Sequence, residues 1–426
     1  MSRMYIKYKK IKNCFKVYYK GYDLNAIMSQ TFLNVCFNIT SCGIGLKFIR
    51  LYLFNGIDYN AIFPLLKIDK AIVFSISHER ADYLRLISNV RSSLQNTYLI
   101  GELKGNKFRF SIVDIFVSFF QVFLLNFKGV EISFREKFFY FLKLVYIKNS
   151  ISNLEGMNSS IETKVYVPFI SSDQNCAIFC QFFRKRGVKS YGLQHGLHLP
   201  ESYYEGRDIP ADVFNIENFQ ADFFLAWGNC MKRILEGTNI KSDQILIAGN
   251  PNYQFINGLR SHQNYKRIIV CLGRSIYKGQ NLELLNLLSH PRNKEFDIAV
   301  KIHPFDDWVN YEHIIESSGM IKVNKNLQLD ETINQFNPDF VIVINSTLYY
   351  EYYMKGFLTL RYGDIRDLPI GLDDHFCTRE QFIDILDLVK TKSVFEVNQK
   401  IENMLTDIFS IGENNYSNIL SSNVST

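Results

Sequence analysis

Residues 297–308 read DIAVKIHPFDDW, and residues 329–363 read LDETINQFNPDFVIVINSTLYYEYYMKGFLTLRYG. Each contains a short apolar run that stops on polar residues. The first run, 297–302, stops at His303-Pro304, and proline ends a strand because it has no N–H for the ladder. The second run, 339–344, stops at Asn345-Ser346-Thr347, after which 348–355 has the look of a helix and 357–361 of another strand. Strand, polar break, helix, strand is the rhythm of a parallel sheet with right-handed crossovers. In open sheets of that kind, ligands sit outside the carboxyl ends of the strands.

Outward from this stretch the same rhythm continues in both directions. Strands are expected at 71–76, 97–103, 164–170, 188–193, 223–227, 245–248, 267–272 and 321–323. Helices are expected between them, including one that follows Ser171-Ser172-Asp173, a run suited to capping, and that stops at Gly187. Residues 252–265 lack periodicity and read as a linker. The expected organisation is therefore 1–251 as an N-terminal acceptor-side domain with helical additions, 252–265 as linker, 266–410 as a C-terminal donor-binding domain, and 411–426 as a loose Asn/Ser-rich tail. The length of 426 residues fits two domains of roughly 200 residues each. The fold class is α/β.

Composition narrows the function. Hydrophobic content of 47% and charged content of 21% are globular values. A net charge of +6 is too mild to indicate nucleic acid. The eight cysteines form no pair of CxxC motifs, which argues against structural zinc and fits a reducing, cytoplasmic setting. No carboxylate cluster stands at metal-ligand spacing, so neither a metal nor another cofactor is expected. The apolar run 112–127 is shorter than the ~20 residues a membrane span needs. It reads as a buried or membrane-facing helix inside a very aromatic block, 108–151, expected to cover one face of a sheet. Residues 1–20 mix Arg3, Lys7, Lys9, Lys10, Lys12, Lys16 and Lys20 with tyrosines and Phe15, and contain no acid. Such a segment can lie on an anionic membrane surface or be a solvated terminus.

Four places carry candidate chemistry. His303 can donate to a phosphate oxygen and stabilise a leaving group. Ser346 and Thr347, with helix N–H groups behind them, suit an anion, and Glu351, one turn on, suits ribose hydroxyls. Gly273-Arg274-Ser275 opens the second domain at an equivalent strand end, where glycine allows close approach and Arg274 and Lys278 suit a diphosphate. Lys301 is grouped with this donor side. Gln194-His195-Gly196 ends a strand of the first domain. A histidine there, with an ordinary pKa of about 6.5, can act as a general base, and His198 is an alternative.

This set resembles the bacterial GT-B glycosyltransferases of capsule and surface-polysaccharide synthesis, above all the sialyltransferases and polysialyltransferases. Those families carry a His-Pro and then a Ser-Ser or Ser-Thr motif for the CMP part of the donor. Here His303-Pro304 and Ser346-Thr347 follow in that order, 43 residues apart from 303 to 346. The acidic triplet that supplies the base in those families is absent. Gln194-His195-Gly196 looks instead like the His-Gly motif of the CDP-glycerol glycerophosphotransferases. The epimerases of UDP-GlcNAc share a His-Pro motif, but their Gly-Gly pair is missing after Ser346.

The resemblance implies a GT-B fold, two Rossmann-like domains facing a cleft with extra N-terminal helices. It implies an inverting glycosyltransferase with His195 and His303 catalytic. Gly273, Arg274, Lys301, Pro304, Ser346, Thr347 and Glu351 would bind donor, and Gln194, Gly196 and His198 would lie on the acceptor side. The implied partners are a nucleotide-activated sugar, first of all a CMP-linked sialic acid, and a cell-surface glycan or glycolipid. The implied location is the cytoplasm, at the inner membrane face. The alternatives are a CDP-alditol phosphotransferase, a UDP-sugar epimerase and a non-catalytic glycan-binding subunit. If His195 is not the base, His78 or an acid within 201–208 remains.

Overall fold

The computed structural model describes all residues except 1–2, 41–44, 104, 126, 128, 158–160, 198, 205–208, 254–256, 261–264, 305, 364, 366–367, 369, 392 and 423–426. The chain divides into two compact units. One comprises Met1–Asn252 together with Glu413–Thr426, and the other is Tyr253–Gly412.

Each unit is built on a six-stranded sheet, parallel throughout. In the first unit the strands stand in the order Ile245–Ile247, Phe223–Ala226, Lys189–Leu193, Val165–Pro168, Ile72–Ser75, Thr97–Ile100. In the second the order is Ile321–Lys322, Asp297–Lys301, Arg267–Cys271, Phe340–Val343, Leu358–Tyr362, His375–Phe376. Numbered along the chain, the second sheet runs 3-2-1-4-5-6, the order of a dinucleotide-binding Rossmann sheet. This is the α/β, two-Rossmann-like-unit architecture expected from the sequence.

The inner strands are apolar at nearly every position because helices cover both faces. IVFS, VYVP and FVIV are buried end to end. The helix Gln174–Arg184 follows Asp173 as expected. The chain then turns at Gly187, whose φ of +76° is open to glycine at little steric cost, and Val188 N–H closes back on Phe183 O.

The extra N-terminal helices are present, and most of the basic segment 1–20 is folded into one of them. Arg3–Cys14 is a packed helix that buries Tyr5, Tyr8 and Ile11, and Phe15 beyond it is also buried. Lys7 pairs with Glu136, and Lys9 with both Glu201 and Glu217. Of the rings in this segment Tyr5, Tyr8 and Phe15 are inside the protein while Tyr18 is exposed, and two of the lysines are paired with acids.

The tail is likewise not loose over its described part. Tyr416–Ser421 is a helical turn with Tyr416 and Leu420 buried. The Tyr416 hydroxyl donates to Gly249 O, and Asn415 N–H donates to Ala248 O. Two apolar residues four apart are enough to seat this turn on the first unit, although Asn and Ser dominate its composition.

The described part of 252–265 is not a bare linker either. Asn257 N–H and Arg260 N–H donate to Met354 O and Gly356 O, and the Arg260 guanidinium lies 4.1 Å from the Phe357 ring centre.

The aromatic block departs most from expectation. A short strand, Asn106–Phe108, pairs with Asn55–Ile57. Helix Ile112–Phe120 follows, then a π-helical turn Gln121–Leu125, then the long helix Phe134–Glu155 with a Ser133/Glu136 capping box. The long helix is buried along most of its length. The short one is not: Ser118 is its one buried residue, while Ile112, Val113, Phe116, Val117, Phe119 and Phe120 are exposed. Among the described residues no helix is long and apolar enough to cross a membrane.

Candidate functional site

In the second unit, strand register brings the separate sequence signals to one edge. Cys271 lies opposite Lys301 on one side and Val343 on the other. Gly273, His303 and Asn345 each stand two residues beyond that row. Neighbouring strands are about 4.8 Å apart, so the three turns are adjacent. They lie at the carboxyl end of the sheet, and the gap between Arg267–Cys271 and Phe340–Val343 is its point of reversal.

Glycine at 273 has a steric reason. A Cβ there would meet Tyr277 Cδ2 at 3.0 Å and Ile344 O at 3.1 Å. The turn is held by Asn281, which is fully buried. Its Oδ1 accepts from Gly273 N–H at 2.9 Å, and its amide nitrogen donates to Gly273 O at 3.0 Å and to the Tyr311 hydroxyl at 2.9 Å. Tyr311 O–H donates to Asp306 Oδ2 at 2.6 Å, and Asp306 N–H donates to His303 O at 2.8 Å. A chain of bonds thus ties the Gly273 turn to the His303 turn. The sequence reading missed Asn281, Tyr311 and Asp306. Asp306 is buried although its neighbour Asp307 is exposed.

At the third turn Asn345 has a φ of +40°, a left-handed conformation in which Asn is enriched among non-glycine residues. Ser346 Oγ accepts from Leu348 N–H at 3.3 Å, whereas Thr347 makes no capping bond. The helix that follows, Leu348–Met354, has seven residues. Glu351 is half-buried one turn on, and Arg274 is half-buried beside Gly273.

Lys301 is the exception. Its ammonium donates to Asn324 O, Lys325 O and Leu327 O at 3.4, 3.1 and 2.9 Å. Burial also lowers its pKa. The three carbonyls engage this lysine in holding the 324–327 turn. Lys278 donates to Asn310 Oδ1 at 2.8 Å.

In the first unit, Gln194 follows the strand Lys189–Leu193. It is fully buried, and its amide serves the backbone: Oε1 accepts from Trp227 N–H at 2.7 Å, and Nε2 donates to Gly196 O at 2.9 Å. Gln194 therefore shapes the loop that carries His195. The His195 ring centre lies 4.8 Å from that of Phe169 and 5.9 Å from that of Tyr83. Its Nδ1 is 3.2 Å from Leu193 O. A tautomer with Nδ1–H donating to this carbonyl leaves Nε2 as the basic nitrogen. Gly196 is half-buried. His198 and the acids at 205 and 208 lie outside the described residues. Glu201 is bound by Tyr5 and Lys9. Burial raises its pKa, but the Lys9 ammonium outweighs this and holds it below the usual range.

No family model and no curated protein sequence matches the chain. Solved structures of nucleotide-sugar epimerases and of cell-surface polymer transferases are similar to it at low identity. One is the UDP-GlcNAc 2-epimerase of Neisseria meningitidis bound to UDP-GlcNAc, 13% identical, covering 84% of this chain and 100% of that one, with a TM-score of 0.46. Another is the lipopolysaccharide outer core galactosyltransferase WaaB, 12% identical over 83% and 99%, with a TM-score of 0.49. A third is the wall teichoic acid polymerase TagF, 13% identical over 95% and 98%, with a TM-score of 0.43.

Proposed function

We propose that the chain is a nucleotide-sugar-dependent glycosyltransferase whose second unit holds the donor. The observation that carries this reading is the common level of the Gly273, His303 and Asn345–Thr347 turns at the reversal of a Rossmann-ordered sheet. The set suits a nucleoside phosphate. A close-approach glycine lets backbone near the ligand, Arg274 and His303 offer positive charge and N–H donors, and Ser346 and Thr347 offer hydroxyls. The donor to test first is a CMP-linked sialic acid or related sugar, because His303-Pro304 and Ser346-Thr347 keep the order of that class.

The proposed reaction is a displacement with inversion. The acceptor hydroxyl oxygen forms a bond to the anomeric carbon. The bond from that carbon to the phosphate oxygen breaks, and its electron pair leaves with the nucleoside phosphate. His195 Nε2 takes the hydroxyl proton. His303, Ser346 and Thr347 stabilise the charge that develops on the departing phosphate. The acceptor is a cell-surface glycan or glycolipid.

Thermal denaturation in the presence of CMP, CDP, UDP and GDP tests the donor assignment. Stabilisation by at least one of them is expected, with CMP strongest. CDP as the strongest would favour transfer from a CDP-alditol, a reading that the histidine at 195 supports. No shift with any of the four contradicts the nucleotide site.

Attachment to an anionic bilayer is assigned to the exposed aromatic helix and not to residues 1–20. Phe108, Phe116 and Phe134 are 72%, 59% and 74% exposed. Exposed Lys107 and Arg109 flank Phe108, and exposed Arg135 follows Phe134. Exposed apolar side chains with basic neighbours along the chain fit a membrane surface. In sedimentation with vesicles containing phosphatidylserine, Phe116→Ser/Phe120→Ser should leave most of the protein in the supernatant while the wild type pellets. Equal pelleting of the two would refute the assignment.

A further inference from the structure

The first unit has a strand-end pocket that the proposed reaction leaves unused. Along the chain its sheet runs 2-1-3-4-5-6, so the order reverses between Ile72–Ser75 and Val165–Pro168. The chain leaves the first of these strands through Ser77 and His78, and the second through Ser171, Ser172 and Asp173. A pocket of about 240 Å³ opens there, against the end of Thr97–Ile100. This is slightly below the ~300–1,000 Å³ of typical small-molecule sites, a size suited to one small ring or chain.

Asp173 lines this pocket and is 6% exposed. It precedes helix Gln174–Arg184 but makes no side-chain capping bond. Gln30 supplies the cap instead. Its Oε1 accepts from Gln174 N–H at 2.8 Å, and its Nε2 donates to Asp173 Oδ1 at 2.8 Å. Asp173 Oδ2 is left without a hydrogen-bond partner. The Ser77 hydroxyl is close enough to favour the charged form, yet burial dominates and raises the pKa. The Ser77 hydroxyl instead meets Cys176 Sγ at 3.6 Å.

An unmade bond on a buried carboxylate is costly, about 1–3 kcal/mol or more. Asp222 in the same unit shows the ordinary structural case. Its Oδ2 accepts from Ser190 N–H and Oγ, and its Oδ1 from Arg184. Asp173 is placed like a cap and is not used as one.

Charge selects the ligand class. Glu102 lines the pocket beside Asp173, and Glu79 Oε1 accepts from Glu102 N–H at 3.3 Å. Two carboxylates, Asp173 and Glu102, line the pocket with one histidine, which disfavours a phosphate, and the Ser77 and Asn175 side chains suit hydroxyl groups. We infer that this pocket binds a neutral sugar or polyol, with a ligand O–H donating to Asp173 Oδ2. On the glycosyltransferase reading it is an acceptor subsite, since Phe169, which leads out of strand Val165–Pro168 toward Asp173, also packs against the His195 ring. That last step rests on the proposed function; sugar binding itself does not.

The test is saturation-transfer NMR on the full chain with glucose, galactose, N-acetylglucosamine and glycerol. At least one should bind wild type. Its Kd should rise at least tenfold in Asp173→Asn, which keeps the size of the side chain, and also in Asn175→Phe, which narrows the pocket without touching the carboxylate. Nucleotide-induced stabilisation should be unchanged in both variants, which shows that they are folded. Inorganic phosphate should not compete. The inference is overturned if no member of the panel binds wild type, if both variants bind like wild type, or if phosphate displaces the sugar. Loss of nucleotide binding with sugar binding intact would instead defeat the donor assignment alone.

Discussion

The two carboxyl edges of this protein use the same device to different ends. Each is held by one fully buried amide side chain, Gln194 in the first unit and Asn281 in the second. Gln194 bonds to the backbone of Trp227 and Gly196, and so shapes the loop that carries His195. Asn281 passes its bonds onward through Tyr311 and Asp306 to the His303 turn. The second edge is thus braced across two turns before any ligand arrives. The first keeps an uncommitted carboxylate oxygen at Asp173. A donor site gains from rigid placement around a phosphate. A site that must accept a hydroxyl needs an acceptor left open.

The contrast can be broken by substitution. The largest effect is expected at His195. Removing a general base typically costs about 10²–10⁴-fold in rate, so His195→Ala should lose transfer by about that factor while nucleotide-induced stabilisation stays. Retained activity would remove His195 as the base and leave His78 and the acids of 201–208. A smaller, different effect is expected at Asn281. Asn281→Leu leaves Gly273 N–H and O buried without partners, a cost of about 3 kcal/mol. Unfolding in urea should show this loss, together with weaker nucleotide binding. Normal binding despite the lost stability would mean that the brace is structural only.

The edge of the second unit was largely legible in the sequence. An apolar run ending on His-Pro or Asn-Ser-Thr marks a strand end, and strand ends at a reversal are where ligands go. Its brace was not legible. Asn281 and Tyr311 look like ordinary helix and turn residues until the fold brings them together, and Asp306 sits next to an aspartate that is exposed. In the first unit, Ser171-Ser172-Asp173 before a helix reads as a cap. The structure gives the cap to Gln30, 144 residues from Gln174, and no local pattern announces that exchange. The basic N-terminus misled for a related reason. Its lysines look free in one dimension, and their acidic partners Glu136, Glu201 and Glu217 lie far along the chain.

The central claim is that the turns at 273, 303 and 345–347 hold the nucleotide. Hydrogen–deuterium exchange, measured with and without the nucleotide that stabilises the protein most, tests it directly. The expected result is slowed exchange confined to peptides covering 272–275, 303–307 and 345–348. Protection that falls on 77–79 and 173–176 or on 194–197 instead, with the second unit unchanged, would contradict the account.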